Sequence, residues 1–148
     1  MGIVVEIGIS KNKGEKIKNA TEVEVIKGKG IVFDRKFKTN NDKNRQITLI
    51  EKENINYYND IAKTKITALD FRRNIVTQNI KLNDLVGKEF FIGKIKVKAH
   101  DLCRPCLYLG KLLNQKNFVK ILLLKGGLRC EILNSGKINL NDKIVTIN

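Results

Sequence analysis

Three cysteines and one histidine concentrate the reactive chemistry of this sequence. Cys103 and Cys106 are three residues apart in the run His100-Asp101-Leu102-Cys103-Arg104-Pro105-Cys106-Leu107-Tyr108, and Cys130 stands alone. Proline suits the first position of a helix, so the run predicts a helix that opens at Pro105, continues to about Leu113 and carries Cys106 in its first turn. Unpaired N–H groups and the positive end of the helix dipole favour an anion there, and Arg104 adds a cation. Both effects lower a thiol pKa. A thiolate can ligate a soft metal, attack a disulfide or accept a sulfur atom as a persulfide. Cys106 is therefore the candidate nucleophile and metal ligand, with Cys103 as its partner.

Other readings of the same segment stay open. The C-x-x-C spacing matches thioredoxin-type dithiol chemistry, but the surroundings are strand-rich and the only proline lies inside the motif. His100, Cys103, Cys106 and Cys130 together offer one nitrogen and three sulfurs, a tetrahedral zinc set without the second close pair of a finger. The plainest reading makes the cysteines small buried apolar residues. It is the preferred one for Cys130, inside the strand-like Leu128–Leu133, and His100 reads as a satisfied surface side chain.

Arginine recognises phosphate and carboxylate by paired hydrogen bonds. The run Asp70-Phe71-Arg72-Arg73-Asn74 could clamp an anion from a loop or form only a surface ion pair. Asp34-Arg35, after a short strand, and Arg45-Gln46, opening another, carry the same ambiguity.

These residues need a scaffold. Alternation and β-branched residues predict strands at Gly2–Ile9, Glu22–Ile26, Ile31–Phe33, Gln46–Ile50, Glu89–Ile92, Lys94–Ala99, Leu128–Leu133 and Lys143–Ile147. Lys11–Gly14 reads as a turn, Phe37–Asn44 as an exposed loop, and Glu51–Asp60 as a short helix with Ile55 and Tyr58 on one face. Ile66–Thr77 is mixed, Phe118–Leu124 is ambiguous, and Gly126-Gly127 is a break. Many short strands with few helices predict a mainly β, barrel-like single domain over residues 1–148. Glycine-rich dinucleotide and P-loop fingerprints are missing.

The 148 residues include 29 Lys and Arg against 15 Asp and Glu, a formal charge of +14. That excess favours anionic partners. Most of it is scattered lysine, which reads as a solvated face rather than a nucleic-acid footprint. No run is apolar enough for a membrane span. The odd cysteine count and the lack of a signal pattern point to a reducing compartment, the cytoplasm.

Fragments spread along the chain resemble the MOSC domain, named for the C-terminal domain of molybdenum cofactor sulfurases. They are Ile9-Ser10 and Lys13-Gly14; Gly30 with Asp34-Arg35; Arg45-Gln46-Ile47-Thr48-Leu49-Ile50; Arg72-Arg73-Asn74-Ile75-Val76-Thr77; Leu85-Val86-Gly87; Cys103-Arg104-Pro105-Cys106; Gly126-Gly127-Leu128-Arg129; Gly136; and Asn141-Asp142-Lys143-Ile144-Val145. Each is weak alone; their joint order is the signal. The resemblance implies a β-barrel fold and a sulfur- or molybdenum-related role for Cys106, as a ligand of molybdenum cofactor or as a persulfide carrier, with Cys103 able to resolve the persulfide. It also implies that Arg35, Arg45, Arg72, Arg73 and Asn74 are anion or framework contacts; Arg104, beside the cysteine, joins that set. A cysteine desulfurase or other sulfur donor and an anionic small molecule are the implied partners. Pyridoxal phosphate is not expected in this chain, which has no desulfurase domain, and the N-terminal β domain of larger molybdenum enzymes is not in this sequence. Phe33-Asp34-Arg35-Lys36 departs from the family's usual Gly-Asp-Arg-His at two positions. The alternatives are a non-catalytic basic module that binds nucleic acid or an acidic protein, and a structural zinc protein.

Overall fold

The computed structural model describes residues 1–104 and 107–147, Leu107 by its backbone alone. Strands β1 (Gly2–Ile9), β2 (Lys18–Ala20), β3 (Glu22–Ile26), β4 (Gly30–Ile31) and β5 (Ile47–Glu51) are followed by helix α1 (Lys52–Ala62). After it come β6 (Ile75–Gln78), β7 (Glu89–Ile92) and β8 (Ile95–Leu102), then helices α2 (Leu107–Leu112) and α3 (Phe118–Ile121), and finally β9 (Leu128–Ile132), β10 (Gly136–Asn139) and β11 (Lys143–Thr146). Short 3₁₀ turns at Ala68–Phe71 and Leu82–Leu85 flank β6.

Seven strands close into a barrel in the order β11-β7-β8-β9-β5-β6-β1, sealed where Gly2 and Ile3 pair with Ile144 and Lys143. Neighbours are antiparallel except β5 and β6, which run parallel with Leu49 opposite Ile75. Helix α1 makes the crossover that a parallel pair requires. Strand β2 extends the far end of β1, and β10-β3-β4 form a small second sheet.

Leu49 and Ile75 point into the barrel, whereas Ile50 and Val76 point outward under the helices. This explains why the first four residues of β5 and the first three of β6 are all buried: both of their faces are covered. Outside the barrel, Ile55 and Tyr58 of α1 pack with Leu69, Phe71, Leu109, Phe118 and Leu122 into a second core. The Tyr58 ring meets Phe71 and Phe118 edge-on at 5.7 and 5.3 Å, and its hydroxyl donates to Gln115 Oε1 at 2.8 Å.

The mainly β, barrel-like expectation is met. The expected strand at 31–33 is shorter, because the chain turns after Ile31 and Phe33 takes a left-handed φ of 72°. The ambiguous 118–124 segment begins as α3. A helix, α2, is seen from Leu107; Pro105 and Cys106, where the sequence places its start, lie outside the described residues. Strands β2, β6 and β10 were not anticipated; Lys18–Ala20 and Gly136–Asn139 are too short and polar to show an alternation, and Ile75–Gln78 begins within the stretch read as mixed.

Candidate functional site

Strand β1 ends where β5 and β6 begin, and a cleft of about 690 Å³ opens at that end of the barrel. Its walls come from four loops and from the start of α2. Lys11, Asn12, Lys13 and Gly14 follow β1; Arg35–Lys38 follow β4; Asn41, Asp42 and Arg45 precede β5; Arg72 and Arg73 precede β6; Tyr108 and Leu109 close one side. Eight cations and one carboxylate, Asp42, line this space.

Asp34 sets the 34–38 loop. Its buried carboxylate accepts the Ser10 N–H at 3.0 Å and the Lys36 N–H at 3.3 Å, while the Arg35 N–H donates to the Ser10 carbonyl at 2.7 Å. Asp34 is thus spent on backbone, and Arg35 and Lys36 are held at the cleft wall. Asn41 reinforces the loop, donating to the Lys29 and Lys36 carbonyls at 2.9 and 2.7 Å. Gln46 joins it to the sheet: its amide donates to Asn41 O at 3.3 Å and its oxygen accepts the Ile132 N–H at 2.8 Å.

Arg73 is anchored by Nε to Gly126 O at 3.0 Å and by Nη1 to Phe71 O at 3.2 Å. Arg72, left-handed at φ 64°, donates from Nη1 to Glu15 O at 2.9 Å and so ties the 11–15 loop across the cleft. None of the four ion pairs among the described residues involves a cleft cation. The electrostatics record that lack of balance. Burial, then the neighbouring Arg72, lowers the pKa of Arg35, with Arg73 adding to the effect and Asp34 opposing it. Burial, with Arg35 and Arg73 beside it, lowers that of Lys36 to about 8, against the pull of Cys103 and Asp34.

The cleft therefore gathers Arg35, Arg45, Arg72 and Arg73 from the expected anion set. Asn74 is elsewhere: it is buried, its oxygen accepts from Thr48 N and Oγ1 at 3.1 Å each, and its amide donates to Gly8 O at 3.2 Å. It is the framework contact rather than the anion contact, since its side chain is consumed by two strands, β1 and β5. Arg104 is exposed on the segment leading to residue 105. Cys103 is buried, its N–H bonded to Gly127 O at 2.7 Å. Cys130 is fully enclosed in the barrel core, and burial first, then the nearby Cys103, pushes its thiol pKa well up. Cys106 lies outside the described residues. His100 Nε2 sits 2.8 Å from Glu131 Oε1, and no three His, Cys, Asp or Glu side chains among the described residues converge as a metal set.

Lys36, Lys11 and Lys13 escaped the sequence reading. Lys36 counted only as a departure from a motif, and the 11–14 turn as solvated lysine. The signal that could have found them is that both segments lie in or beside the matched fragments.

The closed seven-strand barrel with its outer helical layer defines the fold class. The family profile for the MOSC domain matches residues 34–145, and the chain belongs to that family. Among solved structures it is similar to the YuaD protein of Bacillus subtilis, at 19% identity over 97% of this chain and 94% of that one, with a TM-score of 0.85. It is also similar to YiiM of Geobacillus stearothermophilus, at 18% identity over 100% and 76% of the two chains and a TM-score of 0.81. YiiM of Escherichia coli follows at 15% identity over 100% and 70%, with a TM-score of 0.74. At these identities the likeness speaks for the fold. Comparison with curated proteins finds no match. No helix among the described residues is long and apolar enough to cross a membrane.

Proposed function

We propose that this MOSC protein binds a phosphorylated anionic ligand of the molybdenum-cofactor type in the cationic cleft, with Cys106 as the thiolate that meets the ligand's metal or carries its sulfur. The observation behind this reading is the convergence of Arg35, Lys36, Arg72 and Arg73 without an ion-paired carboxylate. Half-buried cations held by backbone contacts are preorganised for an anion, which supplies the charge the protein withholds. A volume of about 690 Å³ suits a ligand of cofactor size. The residues thus fit the anionic part of such a group: Arg35, Lys36, Arg72 and Arg73 would hold phosphate, and Arg45 with Lys11 and Lys13 would complete the rim. When bound, the group supplies the redox and sulfur-accepting chemistry of molybdenum. The chain's own share is to bind, to neutralise charge and to offer a thiolate. Without the cofactor, Cys106 would carry sulfane sulfur received from a donor such as a cysteine desulfurase, with Cys103, three residues away in sequence, to resolve it.

Native mass spectrometry of gently purified protein from a cofactor-producing host tests this. Added mass of sulfur, molybdenum or a pterin on the wild type, lost in Cys106→Ser and kept in Cys130→Ser, is expected. Equal loading of wild type and Cys106→Ser would sink the assignment of Cys106. Loading that survives Arg35→Ala and Arg72→Ala would sink that of the cleft.

A further inference from the structure

Large apolar side chains stand exposed at twelve positions among the described residues, and six of them, Tyr57, Ile61, Tyr108, Leu112, Leu123 and Leu124, belong to the helical layer outside the barrel. Tyr57 and Ile61 are four residues apart on α1, and Tyr108 and Leu112 four apart on α2, so each pair shares a helix face. The Lys125 ammonium lies 4.9 Å from the centre of the Tyr57 ring, which sets the segment after α3 against α1. Leu123 and Leu124, more than half exposed, immediately precede that lysine. Between Leu102 and Cys130 there is no Asp or Glu, while Arg104, Lys111, Lys116, Lys120, Lys125 and Arg129 all carry positive charge.

We infer that this outer face of the helical layer is a docking surface for an acidic protein partner. Leucines and tyrosines bordered by the lysines of the 104–129 stretch, with Glu53 and Asp60 at the α1 edge, make an apolar centre with a charged rim, the anatomy of a protein interface. The missing acidic residues on α2, α3 and their connections set the sign of the complementary surface. A second copy of the chain would bring +14 against +14. A membrane suits the patch less well, because α2 and α3 have already buried Leu109, Phe118 and Leu122 in the second core. The remaining side chains are spread over three elements instead of lining one amphipathic helix. Tyr108 belongs both to this face and to the cleft wall, so a bound partner stands beside the cleft mouth, where a donor or acceptor of its ligand would sit. That last point rests on the proposed function; the docking does not.

The test uses a fluorescein-labelled helical peptide with leucines along one face and glutamates along the other, read by anisotropy at physiological salt. Leu123→Ser/Leu124→Ser is expected to weaken binding about tenfold or more, and Lys116→Glu/Lys120→Glu to do the same. A peptide with serine in place of leucine should bind weakly to all forms, and Arg35→Ala should bind the leucine peptide like the wild type. Equal binding by wild type and both double variants overturns the proposal. So does binding to phosphatidylglycerol vesicles with none to the peptide, or a wild-type dimer in sedimentation that Leu123→Ser/Leu124→Ser abolishes. Loss of peptide binding in Arg35→Ala would assign the peptide to the cleft and overturn it as well. Failure of the docking leaves Cys106 loading unaffected, so the two readings separate.

Discussion

Replacing Lys36 by methionine should make the protein more stable and worse at binding anions. The Lys36 ammonium is half-buried between Arg35 and Arg73, and burial with those charges lowers its pKa from 10.5 to about 8. A lysine whose folded pKa lies below its unfolded one costs stability wherever the folded protein must carry the charge. The cost is fully present below the folded pKa and disappears as pH rises through the unfolded one. The separation between 10.5 and about 8 corresponds to roughly 3 kcal/mol at pH 7, an upper figure given the partial exposure of the group. It shrinks to roughly 1 kcal/mol at pH 10, where the folded amine is neutral and the unfolded one still partly charged. Methionine keeps most of the apolar stem and removes the charge. Urea denaturation of wild type and Lys36→Met in anion-poor buffer, at about pH 7 and about pH 10, gives the two differences directly. A gain for the variant at pH 7 that narrows by pH 10 is expected. Saturating pyrophosphate should erase the gain, because a bound polyanion supplies the counter-charge that the fold lacks. A variant no more stable than the wild type at pH 7 would refute the claim that the cleft holds cations at the fold's expense.

Three other outcomes follow from named contacts. Asn74→Ala removes a side chain that satisfies Thr48 N, Thr48 Oγ1 and Gly8 O inside the protein, and should cost about 2–4 kcal/mol by denaturant titration. Gly127→Ala drives a Cβ into the Leu49 carbonyl oxygen at a φ of 100°; a loss above about 4 kcal/mol, or insoluble protein on expression, is expected. Arg72→Ala frees the loop that its guanidinium ties at Glu15 O. Trypsin should then cut at Lys11, Lys13 or Lys16 faster than in the wild type, while the melting temperature moves little because the bond is exposed.

Much of the architecture was legible in the chain. Strands β1, β3, β5, β7, β8, β9 and β11 announce themselves because one or both faces enter a core, so alternation or continuous β-branched runs appear in the sequence. Ile55 and Tyr58 were readable as one buried face of α1 for the same reason. What was not legible had no such imprint or, as in the four-residue β6 with three buried residues, one too short to read as a strand. Strand β2 has no fully buried residue and β10 has only Ile138, and the turn after Ile31 depends on Asp34 reaching back to Ser10, a contact across 24 positions.

The candidate site divides along the same line. Residue types in the sequence named Cys106 and the arginines, since thiolate and guanidinium chemistry belongs to the side chain itself. Only the tertiary structure could separate Asn74, turned inward to bond β1 and β5, from its neighbours Arg72 and Arg73 at the cleft. Only the closed barrel, which brings the loops after β1 and β4 to those before β5 and β6, could bring Lys11, Lys36 and Arg72 together. Charge and nucleophilicity are local properties written residue by residue. Burial and convergence come from chain closure, and no stretch of the sequence contains them.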